Sequence, residues 1–153
     1  MMMQELHLAI STSQTIADSG LISKHSKFTV QETIERFEAA IKSKAAGGWI
    51  VFSRIDHAAA AKDAGLDMRP RTVIIFGNPK NGTPSMTRTA TLAIDLPMKA
   101  LVWQDDEENV WLTYNSGEYS AREIYPRHEL AVTGEATATL EKFLADVSDL
   151  STQ

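Results

Sequence analysis

The chain has 153 residues, of which 43% are hydrophobic and 23% charged, ordinary globular usage that excludes wholesale disorder. A formal charge of -5 and a pI near 5.3 argue against binding nucleic acid by neutralising many phosphates, because that needs clustered Lys and Arg. The lack of cysteine removes disulfides, thiolate nucleophiles, iron-sulfur clusters and thiolate zinc sites together.

Met1 to Ile10 has no basic leader region, and no run of about 18 apolar residues is present to form a transmembrane helix, so a cytoplasmic protein is expected. Leu6, Leu8 and Ile10 alternate as in a strand, and residues 1–17 read as an extension ahead of an α+β domain over 18–150. Gly20 to Lys27 is the first strand of the main sheet. Thr29-Val30-Gln31-Glu32 then has the spacing of a capping box, and Val30, Ile34, Phe37 and Ile41 form the apolar stripe of a helix that ends at Gly47-Gly48.

Trp49 to Ile55 reads as a buried strand that stops on Asp56 and His57. Asp56 stands where the alanine-rich helix His57 to Ala64 needs an N-cap, and Gly65 fits the residue after its end. Thr72 to Phe76 is apolar without alternation, which predicts a strand covered on both faces or central to the core. It leads into the turn segment Gly77 to Pro84, where Thr83 can cap a helix and Pro84 can occupy its first position, with the helix running to about Ala93.

Asp95-Leu96-Pro97 is a loop, and Lys99 to Gln104 and Val110 to Tyr114 form a hairpin with Trp103 facing inward. Its acidic connection, Asp105 to Asn109, is a solvated turn without the fixed ligand spacing of a divalent-cation loop. Ser120 to Tyr125 is a short helix stopped by Pro126. Ala136, Leu140, Phe143, Leu144 and Val147 mark a final helix, with Ser148 to Gln153 expected to fray. The order is strand, helix, strand, short helix, strand, helix, hairpin, helix, which predicts an α+β fold with one mainly antiparallel sheet.

Ser26, Glu32-Thr33-Ile34, Phe52 to Ala58, Ile75 to Pro84, Ile94 to Lys99, Leu101-Val102-Trp103 and Val110 to Asn115 together resemble the domain-of-unknown-function family number 302, over roughly Gly20 to His128. The resemblance implies a curved antiparallel sheet with helices packed on one side, similar to the TATA-binding-protein-like arrangement, and often a homodimer. It implies no established activity and no cofactor. The stretch Lys44 to Gly48 looks longer than the family's usual helix-to-strand turn.

Candidate chemistry centres on Asp56 and His57. An imidazole at a strand end can exchange a proton near neutral pH, with Asp56 or Asp95 to orient it. The bland alternative is that Asp56 caps its helix and His57 fills the first turn. Gly77 to Gly82 has the G-x-x-x-x-G spacing of a phosphate loop, yet Thr83-Pro84 stands where that loop needs Lys then Ser or Thr. A smaller anion could still sit at the helix start near Lys80 and Gly82. His7, His25, His57 and His128 lie too far apart for a helical metal pair, so no metal is assigned. No G-x-S-x-G elbow occurs.

Two functional readings follow. The first is a small-ligand-binding or protein-interaction domain, a homodimer without nucleic-acid or membrane partners, with a pocket lined by His57, Asn78, Lys99 and Trp103. The second is an enzyme with His57 as general acid or base, Asp56 or Asp95 behind it, and the Gly77 to Gly82 loop holding a small anionic ligand.

Overall fold

The computed structural model describes residues 19–153, so the expected N-terminal extension lies outside the described residues. Strands β1 (Leu21–Ser26), β2 (Ile50–Asp56), β3 (Arg71–Gly77), β4 (Met98–Gln104) and β5 (Val110–Asn115) form one sheet in the order β1-β5-β4-β3-β2. Every neighbouring pair is antiparallel. Helices α1 (Val30–Lys42) and α4 (Gly134–Thr152) cross one face, which makes the fold α+β as expected.

Alternation within the strands fixes the core. Ile74 and Phe76 of β3, Ala100 and Val102 of β4, and Leu112 and Tyr114 of β5 point to the helices and are buried against Ile34, Phe37 and Ile41 of α1 and Leu144 and Val147 of α4. Phe37 meets Phe76 edge to face, with centroids 5.2 Å apart. Thr29 caps α1 as its sequence spacing predicts, accepting the Glu32 N–H at 3.1 Å.

Several expectations are corrected. β2 is an edge strand, not a buried one: Ile50, Phe52 and Ile55 are each 40% exposed or more. A bulge between Val51 and Ser53 shifts its register and leaves Phe52 without a ladder partner. β3 lies inside the sheet, one strand from its edge, but is covered on one face only, since Val73 and Ile75 point away from the helices and stay partly exposed. Trp103 also points away, opposite Trp111 with centroids 6.4 Å apart, and donates its indole N–H to Thr113 Oγ1.

Asn78, not Thr83, caps the third helix. α3 (Pro79–Arg88) begins with Pro79 in the first turn, encloses Pro84, and ends before a 3₁₀ turn, Ala90–Ile94. Pro126 does not stop the segment before it. A short α turn, Gly117–Tyr119, passes into a π turn, Ser120–Ile124, and a 3₁₀ turn, Tyr125–His128, that contains it. α4 continues through Ser151 and Thr152, both buried, where fraying was expected.

Candidate ligand-binding cleft

At the end of the sheet where Gly77 leaves β3, an open cleft of about 1070 Å³ lies between α3, the Gly117–His128 segment and the first half of α4. Gly82 and Met86 come from α3, Tyr125 from the segment, and Leu140 and Phe143 from α4. Trp49 closes one side, stacked on Phe143 with centroids 3.7 Å apart. Much of this lining is apolar, as a binding cavity for an uncharged body requires.

Local chemistry places these walls. Asn78 accepts the Asn81 N–H at 3.1 Å and donates from its amide to the Gly47 carbonyl at 3.0 Å, tying the start of α3 to the turn before β2. Gly48 has φ +102, and a Cβ there would come within 2.5 Å of Asn78 Oδ1, so this junction needs glycine twice over. At the far end of α3, the Thr91 hydroxyl meets His128 Nδ1 at 2.9 Å, and His128 Nε2 meets Asp95 Oδ2 at 2.5 Å. Arg127 Nε stands 3.7 Å from the same carboxylate. This polar strap joins Ala90–Ile94 to Tyr125–His128. None of Thr91, Asp95 and His128 lines the cleft, so the strap holds the walls together and does not face a ligand there.

The residues singled out in the sequence therefore separate. Asp95 pairs with His128, whereas Asp56 and His57 lie at the other end of β2, about 20 Å away by strand rise from Ile50 beside Gly77. Asp56 accepts the Ala59 N–H at 2.9 Å as an N-cap. It also borders a second hollow of about 460 Å³ between α1 and α2 (His57–Asp63), which His57 does not line. The His57 side chain is exposed and makes no hydrogen bond or ion pair with any described residue.

Lys99 and Trp103 share the sheet face away from the helices. Asn78 and Gly82 line the cleft; Lys80 and Lys99 do not. The Asn81 and Gly82 N–H groups, which a small anion would use, are already donated to Asn78. No group of three or more His, Asp and Glu converges as a metal site among the described residues.

Sequence reasoning missed Trp49, Met86, Arg88, Tyr125, Leu140 and Phe143 as cleft residues. Leu140 and Phe143 did show in the stripe of the last helix, but periodicity alone assigns such residues to the core. Burial raises the Tyr125 phenol above its usual pKa, and its hydroxyl has no partner among the described residues.

The model of the family described as domain of unknown function DUF302 matches residues 22–147. Two curated relatives, each named a fluoride-specific ion channel, FluC 1, are 42% identical over 139 residues. The one from Brucella suis biovar 1 is matched over 86% of this chain and 52% of its own length, and the one from Brucella abortus biovar 1 over 86% and 49%. The chain thus spans about half the length of these relatives. Among the described residues, no helix is long and apolar enough to cross a membrane. A crystal structure of an uncharacterised conserved DUF302 protein from Bacillus stearothermophilus superposes with a TM-score of 0.69 at 21% identity, covering 86% of this chain and 98% of that one, and shares the fold.

Proposed function

The chain belongs to the DUF302 family, and on that premise we propose that it is a small-ligand-binding domain whose site is the cleft between α3 and α4. The observation that carries this reading is the cleft itself: about 1070 Å³, lined by α3, the Gly117–His128 segment and α4 among other stretches and stiffened by the Trp49–Phe143 stack. Its lining holds no His, Asp or Lys, so the acid-base pair of the enzyme reading is not supplied to anything bound there. Binding without turnover is the expected behaviour.

The neutral dye Nile red tests this. Its emission rises on entering an apolar site, and the folded chain should bind it saturably at one equivalent. Ala136→Trp and Ser85→Trp, both on the lining, should each abolish that binding while the circular dichroism stays native. Equal binding by wild type and both variants would place the dye elsewhere and remove the proposal.

The curated relatives favour a second reading, in which the domain accompanies ion transport as the half of such proteins that this chain matches. Fluoride efflux from vesicles carrying the Brucella suis protein, intact or without the matching half, decides it. Identical efflux would end that reading.

A further inference from the structure

Of the polar side chains on the cleft lining that have no partner among the described residues, Arg88 carries the one positive charge and Tyr125 is half-buried. The Arg88 side chain, exposed in the last turn of α3, forms no ion pair or hydrogen bond with any described residue, and the half-buried Tyr125 hydroxyl forms none either. Both line the cleft. Arg88 lies three residues before Thr91 and Tyr125 three before His128, and the 2.9 Å contact of Thr91 Oγ1 with His128 Nδ1 locks these two turns together. Trp49 and Phe143, by contrast, supply an aromatic stack.

From this polarity we infer that the cleft takes a single-chain carboxylate amphiphile, with its head on Arg88 and Tyr125 and its tail along Met86, Leu140 and Phe143. The inference rests on the reading of the cleft as a ligand site. A guanidinium offers a carboxylate two parallel N–H donors, and a phenol held neutral adds a third. An uncharged ligand of the same shape would leave the Arg88 charge unused. A cation would meet that charge at the head position, although Glu135, in the first turn of α4, also borders the lining. Glu135 is the lining's one carboxylate among the described residues and forms no ion pair with Arg88, so it opposes an anionic head without neutralising its receptor.

The test is calorimetric titration of the full chain with decanoate, decanol and decyltrimethylammonium below their micelle concentrations, with Nile red displacement as a second readout. Decanoate is expected to bind at least 10-fold more tightly than decanol, and decyltrimethylammonium more weakly still. Arg88→Gln should bring decanoate down to the decanol affinity, Tyr125→Phe should weaken decanoate about 3-fold and leave decanol unchanged, and Glu135→Gln should tighten decanoate. Equal affinities for decanoate and decanol, or no effect of Arg88→Gln, would overturn the carboxylate assignment while Nile red binding kept the cleft reading alive. Loss of all binding, Nile red included, would remove the cleft reading itself.

Discussion

Asp56 and His57 are adjacent in sequence, yet their side chains meet different fates. The Asp56 carboxylate is committed to the Ala59 N–H, so Asp56→Ala should lower stability by about 1 kcal/mol in urea unfolding, the usual cost of a lost N-cap. His57→Ala removes an exposed ring without a partner and should change stability by less than about 0.5 kcal/mol. A loss as large as that of the cap variant would show that the imidazole is engaged.

Glu38 and Arg54 give a pH-dependent case. Arg54 Nε and one terminal amine donate to the two Glu38 oxygens at 2.6 and 2.8 Å, across from α1 to β2. The hydrogen bond from Arg54 is the main cause holding the Glu38 carboxyl below its usual pKa, while burial works in the opposite direction. Since the folded value lies below the unfolded one of about 4.3, the pair's contribution is complete above that value and fades as pH falls through the folded value. Arg54 is partly exposed, so solvent screening holds the contribution to about 1 kcal/mol. Arg54→Met should cost that much at pH 7 and almost nothing near pH 2, and a cost that persists in acid would mean that packing of the Arg54 stem, not its charge, is what matters.

Among the elements, α3 and α4 show why boundaries escape a reading by pattern. Thr83-Pro84 offers a plausible start for α3, but Asn78-Pro79 offers one five residues earlier and is also held by the Gly47 carbonyl. A tertiary bond decided between two local signals. Gly82 consequently sits inside the helix, where a Cβ would make only ordinary contacts at 3.6 Å with Leu96 and Met86. Gly82→Ala should therefore raise stability by about 0.5–1 kcal/mol, and a loss would mean that the first turns of α3 are not helical.

The end of α4 misled for a different reason. Its Ser and Thr residues suggest solvent, but Ser151 and Thr152 return their hydroxyls to the Val147 and Ser148 carbonyls and so can be buried. Lys24 reaches Ser148 and Asp149 at 2.7 Å each, and the Thr152 carbonyl accepts the Lys27 N–H. Removal of residues 149–153 should cost about 2–3 kcal/mol in urea unfolding, whereas a frayed end would cost nothing.

At the scale of the whole molecule, the sheet and its helices were legible because their periods of two and 3.6 repeat over long enough stretches. The resemblance to family 302 pointed the same way, and Ile34, Phe37 and Ile41 were placed correctly in the core. The cleft was not legible. Its walls come from residues near 80, 120 and 140, and its half-buried apolar side chains carry the same signature in sequence as core residues. Polar residues at segment ends drew attention to Asp56 and His57 instead. Yet a strand's two ends are about 20 Å apart, and sequence pattern does not say which end of the sheet a third residue such as Asp95 will join.

The proposed site is at the Gly77 end of the sheet. Amide hydrogen exchange, measured by mass spectrometry with and without saturating Nile red, reads that location directly. Slower exchange is predicted in peptides covering residues 78–88 and 134–143, with none in residues 54–66. Protection confined to 54–66 would return the site to Asp56 and His57 and contradict a site in the cleft.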